Sequence, residues 1–268
     1  MWLIPVVVHA GANTERVILG PAPERVVFAG CVPVIANGGD KGYYRVQYNA
    51  ANLARLRAVY LQLPPTERIG LVADTMALAR SGRVEFAEYF RVLDALQGER
   101  EGAVWQQVLE NLEYLDEAFA GTPAQGSVRD YGRYLLRPVL QQLGWQAQPG
   151  EDAGALRLRN ALIDTLGRFD DPEVSSRAKQ MFAGYAGASA VPIEPSIRNA
   201  VVRTAARTAD KAMFEAIRRL LKNADNQEDN YIFGDAMICV RDPQLVARIL
   251  ELGLTEEWPP GDASWYLR

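Results

Sequence analysis

The spacing of apolar side chains from residue 49 to residue 253 constrains the fold more than any other feature of the sequence. Stripes such as Leu53, Leu56 and Leu63 lie on one face of an α-helix, because a helix has about 3.6 residues per turn. Gly, Pro or Asp stands at the border of nearly every stripe, where helices begin and end. The pattern predicts a mainly α chain, with two helices within 49–82 and further helices at about 84–97, 101–119, 127–143, 152–167, 173–186, 195–208, 211–223, 227–239 and 243–253.

A weak repeat indicates how these helices are arranged. Asp171-Pro172, Asp210 and Asp242-Pro243 each open a helix after a short loop. An aspartate can cap the free backbone N–H groups of the first turn, and a proline fits the first helical position. Spacings of 39 and 32 residues are typical of stacked helix pairs. We therefore predict a HEAT-like superhelix, an α-α solenoid whose curvature creates a concave surface.

The first 48 residues have a different pattern. Short runs of β-branched residues, punctuated by Gly, Pro and Asn, indicate antiparallel strands. The segment 43–48 is expected to pair with 32–36 across a hairpin turn at 37–42. The other expected strands lie at 6–8, 16–19 and 25–28. These strands are too few to close a sandwich. We predict a partial antiparallel β-sandwich at residues 1–48 and a helical domain at 49–268.

Composition excludes several classes of function. The formal net charge of −4 and pI of about 5.3 do not fit a nucleic-acid-binding protein, which needs a basic face. The charges are well mixed and no apolar run reaches the ~18 residues of a membrane span, so no membrane role is expected. Cys31 and Cys239 lie far apart and are predicted to be free, buried thiols. Together these features predict a cytoplasmic protein.

The single histidine limits the catalysis that this chain can perform. A zinc site of the His-Glu-x-x-His type needs two imidazoles one helical turn apart. A Ser-His-Asp triad would have to use His9, and no Gly-x-Ser-x-Gly elbow is present. We therefore expect His9 to be a structural or surface residue, and the glycine-rich segment 38–42 to be a hairpin turn, not a phosphate loop. No residue of the chain is expected to be catalytic or to bind a metal.

Charged stripes on two predicted helices are the remaining polar features. Glu110, Glu113 and Glu117 share a helix face, but the Glu-x-x-His partners of a helical metal site are absent, so a solvated acidic face is expected. Arginine can grip a peptide carboxylate with two parallel hydrogen bonds. On a concave surface, arginines could hold a peptide's C-terminal end; surface ion pairing is the alternative, and the commoner outcome for any single arginine. The candidates for substrate binding are Arg129, Arg133, Arg137, Arg159, Arg198, Arg203 and Arg207.

Five sequence segments carry a resemblance to one family. They are residues 2–6 (Trp-Leu-Ile-Pro-Val), 42–48 (Gly-Tyr-Tyr-Arg-Val-Gln-Tyr), 67–82, 143–159 and 222–228, and the region 242–260 adds to them. In this order they resemble the C-terminal region of M1 zinc aminopeptidases, a domain also found in endoplasmic-reticulum aminopeptidases. The puromycin-sensitive branch is the most similar.

The resemblance implies a non-catalytic C-terminal region of a zinc metalloaminopeptidase. Its helices would form a bowl that encloses the active site and restricts substrates to peptides. Zinc would belong to an upstream catalytic domain of the same polypeptide, which, with peptide substrates, would be the partner of this chain. The family continues beyond residue 268, so a truncated C-terminus is expected. The alternatives are a stand-alone HEAT-like scaffold that binds a protein or peptide, and an enzyme that works without histidine.

Overall fold

The computed structural model describes residues 3–187, 191–253 and 255. Trp2 of the first motif, residues 256–260 of the last one and the chain end at 264–268 lie outside the described residues. A mainly α fold with a small β part is confirmed. The helices are α1 Ala50–Ala58, α2 Pro65–Arg80, α3 Phe86–Leu93, α4 Gly102–Ala118, α5 Pro123–Leu143, α6 Ala153–Arg168, α7 Pro172–Ala186, α8 Pro195–Ala206, α9 Lys211–Lys222, α10 Gln227–Ile238 and α11 Pro243–Leu252.

Three antiparallel strands precede the helices. β1 (Ile4–Ala10) lies between β2 (Asn13–Leu19) and β3 (Val34–Ala36). Gly11 connects β1 to β2 at a φ of +59°, a conformation that glycine adopts without steric cost. Both β2 and β3 are antiparallel to the central strand β1, as the sequence predicts.

Two of the predicted strands are wrong. Residues 25–28 and 43–48 form no strand, and the predicted hairpin between 32–36 and 43–48 is absent from the described residues. Side chains occupy the edge of β3 instead. The side-chain amide of Asn52 bonds both the N–H and the C=O of Val34, and the N–H of Ala36 donates to the Tyr48 hydroxyl. These bonds satisfy the backbone groups that a further strand would pair with.

Residues 37–42 form a compact loop that is organised by one amide side chain. Asn37 donates to the Asp40 carboxylate and the Gly42 carbonyl, and its own side-chain oxygen accepts the Gly42 N–H. A short 3₁₀ turn at Gly38–Asp40 follows Asn37. The segment is thus neither the predicted hairpin turn nor a phosphate loop that opens a helix.

The chain divides into two compact units, Met1–Asn111 and Leu112–Arg268. The core of the first contains Tyr60, Val72 and Tyr89, and that of the second contains Phe169 and Phe214; all five are essentially inaccessible to solvent. Burial of such large apolar and aromatic side chains contributes strongly to stability. The division into domains at residues 48 and 49 stays a prediction.

Helix α8 occupies the centre of the second unit, where it contacts α6, α7, α9 and α10. It approaches α6 closely at Gly167. A Cβ atom at this position would lie 2.3 Å from Oγ1 of Thr204 on α8. The missing side chain of Gly167 therefore permits the close packing of these two helices.

The predicted helix starts are confirmed by their capping bonds. The Asp171 carboxylate accepts the backbone N–H groups of Glu173 and Val174 at the start of α7. Asp242 caps α11 in the same way, whereas Asp210 caps α9 by accepting the single N–H of Met213. An aspartate that follows a short loop thus predicted the start of the next helix correctly at these three positions, because the capping bond joins residues at most three apart.

The two cysteines and the apolar character of the helices test two further predictions from the sequence. Both cysteines are free, as predicted, but Cys31 is exposed and Cys239 is half-buried, so the expectation of two buried thiols is wrong. Cys31 lies in an irregular segment outside any helix or strand, and its side chain is exposed. Within the described part of the chain, none of the helices combines the length and apolar character that crossing a bilayer requires.

Candidate functional site

The arginine stripe of α5 lies against the turn between α6 and α7. Arg129 grips both carboxylate oxygens of Asp116, at 2.5 Å from Nε and 3.2 Å from Nη2, and its Nη1 is 2.7 Å from Asp170. Asp170 adopts a left-handed φ of 57°, which aspartate tolerates better than most residues. The guanidinium of Arg241 also bonds Asp170, at 2.5 Å. Arg129 therefore ties α4 to this turn.

The next two arginines of the stripe bond the same turn. Arg133 donates to the carbonyl oxygen of Phe169 and to the exposed carboxylate of Asp130. Arg137 donates from Nε to Asp171, whose side chain is fully buried. The i, i+4, i+8 spacing thus places three guanidiniums along residues 169–171, which connect α6 to α7.

Asp116 shows the electrostatic consequence of this clamp. Burial acts to raise the pKa of its carboxyl group, but the hydrogen bonds and charge of Arg129, with help from Gln125 and Arg168, outweigh burial. The pKa of Asp116 therefore lies below its usual range, so the carboxylate is charged at neutral pH and stabilises the folded unit.

Arg159 is a fully buried residue that holds a loop. Its side chain is 0% exposed and donates to the carbonyls of Leu143 and Gly144, at 3.2 and 3.0 Å. It also donates to both oxygens of Glu151, at 2.6 and 2.7 Å. Arg159 therefore fixes the connection between α5 and α6 from the inside.

The second predicted stripe, on α8, pairs with acids on two neighbouring helices. Arg203 lies 3.4 Å from Asp164 of α6 and 3.8 Å from Asp235 of α10, and Arg207 lies 2.8 Å from the same Asp164. Arg198 is 2.9 Å from the carboxylate oxygens at the start of α10, those of Glu228 and Asp229. Burial raises the pKa of Asp235, an effect that Arg203 opposes.

All seven predicted arginines therefore have acidic partners within the chain. Any peptide that reaches them has to compete with these carboxylates for the same N–H groups. Arg137 has the most exposed side chain of the seven, at 40%, whereas Arg159 has none of its side chain exposed. Contact between any of them and a substrate stays a prediction.

His9 and Glu67 form a close polar pair in the first unit. Nδ1 of His9 lies 2.5 Å from Oε1 of Glu67, which is buried and also accepts the N–H of Gly39 at 3.2 Å. The ring packs against Gly38, where a Cβ atom would lie 2.5 Å from it. His9 is thus held by structural contacts, as expected from the sequence.

Asp74 is a polar residue for which the sequence analysis assigned no role. Its two oxygens accept Nη1 of Arg45 and the N–H of Val46, each at 3.0 Å. Burial raises the pKa of Asp74, although Arg45 and the Val46 N–H act to lower it. Arg45 belongs to the motif at 42–48, so its charge is evident from the sequence. Its partner, Asp74, lies 29 residues away in α2, and no sequence pattern links the two.

The described residues do not fit a zinc site. In residues 3–187, 191–253 and 255, no group of three or more His, Cys, Asp or Glu side chains is placed to hold a metal ion. The chain has only one histidine, and it is engaged with Glu67. In the acidic stripe, Glu113 accepts the Thr165 hydroxyl at 2.5 Å and Glu117 accepts from Arg168 at 2.6 Å.

Comparisons with known proteins identify the relationship that these features indicate. Residues 33–268 match the model of the ERAP1-like C-terminal domain. The chain is 26% identical to a puromycin-sensitive aminopeptidase of Caenorhabditis elegans over 94% of its length, but it covers 28% of that protein. It is 25% identical to aminopeptidase 2 of Candida albicans and 27% identical to aminopeptidase M1-A of Oryza sativa subsp. japonica, over 72% and 87% of its length.

The chain spans between about a fifth and just over a quarter of the length of these relatives, covering 21% and 27% of the last two. The family match extends over most of the sequence, from the third strand into the residues beyond α11. The resemblance that the sequence motifs indicated is confirmed. The chain belongs to the ERAP1-like C-terminal domain family of M1 aminopeptidases.

Proposed function

We propose that this chain is the non-catalytic C-terminal region of an M1-type zinc metalloaminopeptidase. Its helices form a concave bowl that encloses the active site and restricts substrates to peptides. The observation that carries the proposal is the family match over residues 33–268, together with relatives that are all named as aminopeptidases. These relatives are several times longer than the stretch that this chain matches, and the proposal assigns catalysis to a longer polypeptide.

In this proposal, zinc and the catalytic groups belong to an upstream domain of the same polypeptide, located in the cytoplasm. This chain contributes the enclosure, and its substrate contacts come from the arginine stripes of α5 and α8. Arg137 is the strongest of these candidates, because its side chain is 40% exposed and only its Nε is bonded to Asp171.

The test is the intact mass of the protein in its source cells, measured by immunoblot and mass spectrometry. We expect a species several times heavier than 29.6 kDa that contains zinc and releases N-terminal residues from peptides. A chelator should abolish the release. A species of 29.6 kDa without this activity would contradict the proposal and would support a stand-alone scaffold that binds a protein or peptide.

A further inference from the structure

A pocket of about 330 Å³ lies in the second unit, between the C-terminal half of α5, the loop that follows it and the start of α7. Three buried apolar side chains, Leu140, Leu166 and Val174, contribute to its lining. Small-molecule sites in proteins are of this kind, with volumes of roughly 300–1,000 Å³, a largely apolar lining and a few placed polar groups.

Arg177 supplies the first of these polar groups. Its guanidinium carbon lies 4.6 Å from the centre of the Trp145 ring, which also lines the pocket. Arg177 is exposed and forms no ion pair with any of the described residues. Stacking on an indole engages the flat face of a guanidinium and leaves the N–H groups at its edge free to bond an anion.

Arg137 supplies the second group. Its Nε bonds Asp171, whereas Nη1 and Nη2 have no hydrogen-bond partner within residues 3–187, 191–253 and 255. Asp171 is fully buried, and its charge is offset by Arg137 and by the first N–H groups of α7. The pocket thus combines a partly apolar lining with two guanidiniums whose remaining N–H groups can bond a ligand. Glu173, an exposed lining residue, is the carboxylate that opposes them.

The wall that carries Trp145 is held in place before any ligand arrives. Arg159 fixes the carbonyls of Leu143 and Gly144, directly before the tryptophan, from a fully buried position. A wall that is already ordered loses little conformational freedom on binding. Arg159 is therefore a positioning residue for this pocket.

We propose that this pocket binds a molecule with an apolar body and a single carboxylate. The apolar body lies against the accessible part of Trp145 and the small exposed portions of Leu140 and Val174, and the carboxylate bonds Arg137 and Arg177. A carboxylate matches the planar fork of a guanidinium, and such charge-assisted bonds are about twice as strong as neutral ones. A free monocarboxylic acid and the last residue of a peptide both present this chemistry. The proposal requires no catalysis by this chain. For a peptide end as the ligand it rests on the proposed function, in which Arg137 contacts substrate, whereas the octanoate titration tests the pocket without that assumption.

The primary experiment is calorimetric titration of the 268-residue chain with octanoate, and with octanamide as a neutral control of the same shape. We expect saturable octanoate binding that is at least about tenfold tighter than octanamide binding, because only the acid bonds the guanidiniums. Equal affinities of the chain for octanoate and octanamide, together with equal affinities for the peptide acid and the peptide amide described below, would overturn the proposal.

Three variants locate the site. Arg177→Gln should weaken octanoate binding about fivefold or more, and Glu173→Gln should strengthen it about twofold by removing the opposing charge. Arg157→Gln is the matched control, since Arg157 is an exposed arginine of α6 that does not line the pocket. Circular dichroism verifies that each variant is folded. An equal loss of affinity in Arg157→Gln and Arg177→Gln would contradict the assignment.

A second titration distinguishes the two sources of the carboxylate. It uses an N-acetylated tripeptide that ends in leucine, as the C-terminal acid and as the amide. Tighter binding of the peptide acid than of octanoate would support the pocket and identify a peptide end as its ligand. Tighter binding of octanoate would support the pocket with a free acid as its ligand. If neither acid binds better than its amide, the proposal is wrong.

Discussion

At the scale of single residues, the ion pairs of the second unit are important for its stability, because several of them are shielded from water. Asp116 is the clearest case, with a side chain that is 4% exposed and two bonds to Arg129. An ion pair at the surface contributes little, whereas removal of one partner from a buried pair leaves a charge without compensation. The stability of this unit should therefore depend on a few specific carboxylates.

Asp116→Asn should lower the free energy of unfolding by about 2 kcal/mol, a value reduced from that of a fully buried pair because Arg129 is partly solvated. Urea denaturation at pH 7 measures the change. Asp130→Asn is the control, because the Asp130 carboxylate is 73% exposed and, among the described residues, pairs with Arg133 alone. Its effect should stay below about 1 kcal/mol. Equal effects of the two variants would show that burial does not determine the strength of these pairs.

The Asp116 contribution should also depend on pH in a defined direction. A carboxyl group whose pKa is lowered by folding stabilises the protein above its unfolded pKa of about 3.9, and this stabilisation is lost as the pH falls through the lower, folded pKa. The difference between wild type and Asp116→Asn should therefore be full at pH 7 and shrink below about pH 4. A difference that stays constant down to pH 3 would be inconsistent with this assignment.

Tyr48→Phe tests the hydrogen bond between the Tyr48 hydroxyl and the Ala36 N–H at the edge of β3. Burial raises the pKa of Tyr48 to about 12, so its hydroxyl stays protonated and accepts the Ala36 N–H at neutral pH. Its removal leaves that N–H without its acceptor and should cost about 1–2 kcal/mol. Hydrogen exchange of the Ala36 amide should accelerate accordingly. Tyr43→Phe, at a fully exposed tyrosine, should change neither quantity, and unchanged exchange in Tyr48→Phe would show that the bond is dispensable.

At the scale of helices and strands, the sequence predicted what is encoded locally. Helix borders came out within a few residues, because apolar period, capping aspartates and prolines act within one turn. The segment 43–48 has a strand-like composition, but its backbone is bonded by Asp74, which lies in a helix 28 residues away from Val46. The regular spacing of the arginines identified the two stripes in the sequence. It did not identify their acidic partners, because sequence periodicity carries no information about long-range contacts. Asp170, for example, lies 41 residues from Arg129.

The cap of α7 should contribute more to stability than the other aspartate caps. Asp171 both caps this helix and accepts from Arg137 in a fully buried position, whereas Asp210 caps α9 at an exposed position. Asp171→Ala should cost about 3 kcal/mol and Asp210→Ala about 1 kcal/mol. Urea denaturation of both variants measures the difference. The idea fails if Asp210→Ala is the more damaging change.

The close approach of α6 and α8 can be probed at Gly167. Gly167→Ala should destabilise by about 2 kcal/mol, because the new methyl group would overlap the Thr204 side chain. Thr204→Ala in the same background should recover part of the loss, which a double-mutant cycle in thermal unfolding would detect as coupling. Gly126→Ala in α5 is the control, since an added Cβ meets no atom within 4 Å and should be neutral or stabilising. Additive effects would exclude the clash.

At the scale of the whole molecule, the proposed enclosure makes a prediction about substrate size. In a longer polypeptide that contains this chain, removal of residues 112–268 should leave hydrolysis of a single amino-acid amide largely intact, because the proposed function assigns the catalytic groups to an upstream domain. Release of N-terminal residues from an unfolded protein should rise relative to release from a short peptide, because the barrier to large substrates is gone. For each form, kcat/KM is measured with the amino-acid amide, the short peptide and the unfolded protein, and the ratio of the unfolded protein to the short peptide is compared between the forms. Bound zinc shows whether the catalytic domain is intact. If zinc is retained and the ratio is unchanged, this region does not select substrates by size, and its arginines and its pocket would have to serve a different purpose.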